Sequence, residues 1–205
     1  MVKEDNLRII DTARREEIFV YEALKEIVFK NKITYIGDDI SNGLADIFTD
    51  DLTIGMEVVT CERRVIHKYT ERNKLPIKFS MNIKSKRPVY KSKQEKYSFY
   101  KLEQDEFYQN LRTNINKKLR LLKHGNYMGT KEIYLCICSV YEDKPYIDIK
   151  KIASIYKEST EKLKVKFDMV FLLVNNTLYM INNNNEFGLM EEYDYSRIKV
   201  DKINK

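Results

Sequence analysis

Glycine, histidine and cysteine are all scarce in this 205-residue chain, and each scarcity removes a class of chemistry. Six glycines leave no Gly-rich loop of the kind that cradles nucleotide phosphates, which excludes a P-loop ATPase. The two histidines, His67 and His124, have no acidic or cysteine partner at a recognisable spacing. That argues against a zinc centre and against His-based nucleophilic catalysis. Three cysteines, Cys61, Cys136 and Cys138, make an odd count without metal-ligand spacing. Cys136 and Cys138 sit two apart in a strand-like run, so they point the same way and are poorly placed to bridge. The expectation is reduced thiols in a cytoplasmic protein. No window approaches the roughly 20 apolar residues of a membrane span. The polar start, Met1 to Asn6, lacks the apolar core of a signal peptide, so no membrane partner is expected.

The chain has enough apolar residues, 43%, and a sufficiently mixed charge to fold rather than stay disordered. Its length predicts a single domain over 1–205 with a sizeable core, about 9–181. Net charge is +6, but its distribution is uneven. Between Cys61 and Lys101 there are thirteen Lys/Arg and three acids, so the remainder is acidic. Arg63, Arg64, Lys84, Lys86, Arg87, Lys91 and Lys93 stand out in this stretch, with Tyr69, Phe79, Tyr90, Tyr97, Phe99 and Tyr100 interleaved among the cations. Cations with aromatics suit phosphate contacts and base stacking, which points to a nucleic acid, with docking of an acidic protein as the other reading.

Hydrophobic periodicity predicts a helix over Ile9 to Lys30, capped by Asp11 or Thr12. Short strands follow at Ile33–Ile36, Leu44–Thr49 and Leu52–Thr60, the last apolar on both faces in its middle, as a central strand is. Pro76 and Pro88 interrupt the basic stretch, which reads as an insertion over 61–103 with an extended run near Ile77–Ile83. The stripe Phe107, Leu111, Ile115, Leu119 and Leu122 predicts a helix over 104–124, stopped at Gly125-Asn126. A strand over 132–141, a helix over 147–163 and a strand pair at 167–174 and 177–181 complete the core. Asn182 to Asn185 reads as a loop and 186–205 as a charged, peripheral tail. The order predicts an α/β fold, a mixed sheet flanked by helices.

Asp46 lies in one of the strand-like runs and Glu57 in the next, with the acidic turn Asp50-Asp51 between them. A hairpin of this kind brings two carboxylates to one end of a sheet. Two carboxylates with open coordination positions hold Mg²⁺, and a bound Mg²⁺ activates water against a phosphodiester. Glu17 follows the inward stripe of the first helix with Tyr21, Leu24 and Val28, ahead of Glu16 and Glu22.

With these residues the chain resembles the PD-(D/E)XK phosphodiesterase superfamily, the restriction-endonuclease-like nucleases. That family places an acid on its first helix, an Asp on the second strand and a Glu-X-Lys on the third, within an αβββαβ core. Glu17, Asp46 and Glu57 match the three acidic positions, and the match spans about 9–141. The resemblance implies a DNA nuclease dependent on Mg²⁺ or Mn²⁺. Asp46, Glu57 and the Val59 carbonyl would hold the metal, with Glu17 as an outer ligand. Nucleases of this kind are often dimers, which implies a homodimer. The sequence departs from the motif at two positions: Ala45 replaces its proline, and Val59 stands where its lysine belongs. The resemblance therefore leaves two outcomes. A cation from elsewhere, Lys118 on the following helix or Arg63 or Arg64, supplies the missing charge, or the fold is a catalytically inactive DNA-binding or regulatory protein.

Overall fold

The computed structural model describes residues 6–10, 13–30, 32–37, 43–60, 80–82, 87–89, 93–127, 129–139, 147–174, 177–181 and 187–192. Strands β1 (Leu7–Ile9), β2 (Thr34–Ile36), β3 (Ile47–Thr49) and β4 (Ile54–Thr60) come first. Helix α1 (Arg15–Leu24) separates β1 from β2 and runs on into a single wide turn over Lys25–Phe29 with π-type spacing. A small hairpin, β5 (Ser80–Asn82) and β6 (Arg87–Val89), precedes the long helix α2 (Lys93–Lys123). Then come β7 (Glu132–Ser139), α3 (Ile149–Leu163), β8 (Met169–Val174), β9 (Thr177–Ile181) and β10 (Phe187–Glu192). The main sheet has eight strands in the order β1-β2-β3-β4-β7-β8-β9-β10. It is mixed: β4, β7 and β8 are parallel neighbours, and antiparallel pairs flank them on either side. This is an α/β fold, as the alternation of elements requires.

The central strands are apolar on both faces because helices cover both. On one side α2 and α3 bury Leu111, Ile115, Leu119, Ile152 and Tyr156 against Val59, Leu135, Ile137 and Leu172. On the other, α1 and its π turn bury Val20, Leu24 and Phe29 against Met56, Val58, Cys136 and Phe171. Cys136 and Cys138 are both buried in the sheet. Helix α3 starts where the Asp148 carboxylate accepts hydrogen bonds from the amides of Lys150 (2.9 Å) and Lys151 (3.2 Å). Among the described residues, no helix is long and apolar enough to cross a membrane.

Several boundaries differ from the sequence expectation. The first helix begins at Arg15, not Ile9, because Leu7–Ile9 pairs in parallel with β2 and the Ile10 amide donates to the Ile36 carbonyl at 2.8 Å. The β-branched start of that segment is used by the sheet edge rather than by the helix. The expected caps Asp11 and Thr12 lie outside the described residues. The helix at 104–124 starts eleven residues earlier, so the last part of the expected insertion is helical. Residues 187–192 are not a peripheral tail but an eighth strand, paired with β9 across a register shift between Leu189 and Glu191. The sheet is thus larger than an αβββαβ core alone. The loop expected at 182–185 lies outside the described residues.

Candidate metal and nucleic-acid site

Strands β3 and β4 set the first two carboxylates. Their antiparallel register pairs Phe48 with Gly55 and Ile47 with Met56, so one step further Asp46 stands opposite Glu57. Ile47 and Met56 turn to the α1 face, which sends Asp46 and Glu57 toward α2. Asp46 is pinned twice. Its carbonyl accepts from the Gly37 amide (2.9 Å), and its Oδ2 accepts from the Val58 amide (2.7 Å). Gly43, at φ +65°, leads into this strand with its backbone against the Asn126 carbonyl, where any Cβ would collide. The approach of the chain to Asp46 therefore requires glycine.

Helix α2 brings the third group. Asn114 donates from Nδ2 to the Thr60 carbonyl (2.9 Å), fixing the helix on the end of β4. One turn later the Lys118 ammonium reaches Asp46 Oδ2 at 3.1 Å and also pairs with Glu57 Oε2. Helix α1 brings the fourth and fifth. Arg14, just before the helix, pairs through Nε with Glu17 Oε1 and through Nη2 with Asp46 Oδ2 at 3.2 Å. The Arg14 amide also donates to Glu17 Oε2 at 2.8 Å, so Glu17 serves the helix start as well as the cluster. Burial raises the Glu57 pKa, and the Tyr127 hydroxyl, from the turn after α2, partly opposes that rise.

The cluster is unusual in its burial. Glu17, Asp46 and Glu57 are 0%, 1% and 3% exposed, while Lys118 is 17% and the Arg14 side chain 46% exposed. Three acids face two cations, an excess of negative charge away from water. Burial pushes Glu17 up to about 7, helped by the neighbouring Asp46 and opposed by Arg14. Burial, then Asp46, likewise raises Glu57 against the pull of Lys118. Burial depresses Lys118, but Glu57 and Asp46 together outweigh it and its pKa is raised. Titratable groups held this far from their ordinary values in one cluster are characteristic of functional sites.

Among the described residues, no three His, Cys, Asp or Glu side chains are grouped to hold a metal by themselves. The donor set is two carboxylates sharing one ammonium, with Glu17 set back behind Arg14. That set fits Mg²⁺, which keeps several waters and takes one or two carboxylates.

Of the residues singled out from sequence, Glu17, Asp46, Glu57 and Lys118 come together. The Val59 side chain packs in the α2-side core beside them, 2% exposed. Arg87 lies on β6, and Lys93 opens α2 with its side chain in solvent. Arg63, Arg64, Lys84, Lys86 and Lys91 lie outside the described residues. Sequence reasoning missed Arg14 and Tyr127. Arg14 carried one legible signal, its place three residues before Glu17 at a helix start. Tyr127 carried none, because its approach to Glu57 comes from the turn after α2. Comparison with family models, curated proteins and solved structures returned no match for the chain.

Proposed function

We propose that this chain is a metal-dependent nuclease of the PD-(D/E)XK type, hydrolysing DNA phosphodiester bonds. The observation that carries the reading is the convergence of Lys118 from α2 on both Asp46 and Glu57. It supplies an ammonium beside two buried carboxylates, the role that the motif lysine would fill and that Val59 cannot. The order α1, β2–β4, α2, β7 agrees with a restriction-endonuclease-like core, to which β1 and β8–β10 are additions.

In this reading Asp46 and Glu57 would hold Mg²⁺ or Mn²⁺; the Val58 amide faces Asp46, so the Val59 carbonyl that the motif would offer points the other way, to β7. The ion, when bound, lowers the pKa of water and offsets charge on the phosphate. Glu57 orients the attacking water and accepts its proton. Lys118 stabilises negative charge that develops on the phosphate oxygens. Glu17 holds Arg14 beside Asp46 in the metal-free site. The basic stretch 61–101, with Lys84, Lys86, Arg87, Lys91 and Lys93, grips the DNA backbone, and a homodimer would let each subunit address one strand.

The test is nicking of supercoiled plasmid in Mg²⁺ or Mn²⁺. Wild type should cut, and Glu57→Ala and Lys118→Ala should not. One observation favours a second reading, a nuclease fold that binds DNA without cutting it. Lys118 already pairs with both carboxylates, and the same contacts would serve structure alone. Salt-sensitive DNA binding without cleavage in any divalent ion would establish that reading instead.

A further inference from the structure

The proposed metal site contains a cation that the nuclease motif does not require. Three donors converge on one oxygen of Asp46: the Val58 amide (2.7 Å), the Lys118 ammonium (3.1 Å) and the Arg14 guanidinium (3.2 Å). A carboxylate oxygen has two lone pairs, so Oδ2 is saturated. A divalent ion that binds Asp46 through this oxygen must compete with one of these donors. The Val58 amide belongs to β4 and cannot leave without breaking the strand. Lys118 is mostly buried and also paired with Glu57, so its departure would strand two carboxylates. Arg14 makes the longest of the three contacts, and its side chain is nearly half exposed, so it can re-enter water at little cost. It also keeps its anchor on Glu17 when Asp46 is lost.

We propose that Arg14 is a resident counter-ion of Asp46, displaced by the incoming divalent ion and released to a phosphate of the DNA backbone. This rests on the metal-dependent nuclease reading. It assigns the guanidinium two successive partners of the same chemistry, a carboxylate and then a phosphate, both matched by its planar fork. Before metal binds, Arg14 offsets repulsion among the acids. Released from Asp46, the guanidinium keeps its contact with Glu17, and its nearly half-exposed side chain is free to pair with a phosphate.

The experiment measures Mg²⁺ binding by calorimetry without DNA, and binding of a short DNA duplex in Ca²⁺ across a salt series, for wild type, Arg14→Gln and Arg14→Lys. Arg14→Gln should bind Mg²⁺ about fivefold more tightly, the size expected for removing one ion pair whose cation is nearly half exposed. It should bind DNA more weakly, with the log–log salt slope reduced by about one. Arg14→Lys keeps the charge but not the fork, so its Mg²⁺ affinity should fall between the two. It decides the question if Arg14→Gln fails to fold, which a thermal transition of each metal-free variant reports. Wild type that binds Mg²⁺ alongside variants of equal or weaker affinity overturns the counter-ion role alone. An unchanged salt slope overturns the transfer to phosphate. A wild type that binds no Mg²⁺ removes the nuclease reading, and this inference with it.

Discussion

Replacing Lys118 by methionine keeps most of the side-chain volume and deletes the charge on which the buried cluster depends. Asp46 and Glu57 would be left 1% and 3% exposed; among the described residues Arg14 is then the cation paired with Asp46, and none is paired with Glu57. Removing one partner of a buried ion pair costs about 3–5 kcal/mol, because the surviving charge is neither solvated nor matched. Lys118 keeps 17% of its side chain in solvent, so the lower end, about 3 kcal/mol, is expected. For a chain of this length that lowers the thermal midpoint by about 6–12 °C. The assay is urea unfolding of wild type, Lys118→Met, Glu57→Gln and the double variant, all in chelator. The double variant should recover most of the loss, giving a coupling of about 1–3 kcal/mol between the two positions. A saturating divalent ion should partly restore Lys118→Met, since it supplies charge to the same carboxylates. The reasoning is refuted if Lys118→Met unfolds within about 0.5 kcal/mol of wild type, the tolerance of an ordinary surface change.

Other expectations follow from neighbouring contacts. Asp46→Asn should abolish metal-dependent nicking while leaving the chain folded, since the Val58 amide keeps an oxygen acceptor; plasmid assay and circular dichroism together check this. Metal-free protein should lose stability as pH rises. Glu17 titrates near 7 when folded and near the ordinary 4.5 when unfolded, so its contribution is complete below pH 4.5 and lost as pH passes 7. Urea midpoints in chelator should therefore fall between about pH 5 and about pH 8, by the equivalent of about 2–3 kcal/mol, and should fall less in Glu17→Gln. Asn114→Ala removes the hydrogen bond to the Thr60 carbonyl and should destabilise by about 1–2 kcal/mol, read by denaturant unfolding. Gly55→Ala would bring a methyl within 2.9 Å of Ile133 Cδ1 and 3.2 Å of Ala45 Cβ, and should cost about 1–3 kcal/mol by the same measurement.

Much of the fold was legible because hydrophobic spacing is a local property. The stripe Phe107, Leu111, Ile115 and Leu119 marks α2, and the two-faced apolar run of β4 marks a central strand, whatever surrounds them. Edges were harder. Leu7–Ile9 and Phe187–Glu192 are strands because β2 and β9 offer open ladders beside them, and nothing in their own residues says so. The same division runs through the site. Sequence alone placed Asp46 and Glu57 on a hairpin and Glu17 on an inward stripe, since strand and helix periods set which way a side chain points. It marked Lys118 only as a margin residue of α2, and Arg14 and Tyr127 not at all. Whether a cation meets a carboxylate depends on how α1 and α2 dock on the two sides of β4. That docking is fixed by Asn114 on Thr60, by the Val59 and Met56 faces and by the close pass at Gly43. Charges far apart in the chain, such as Lys118 and Asp46, become partners only when packing removes water from between them, and a linear sequence carries no record of that.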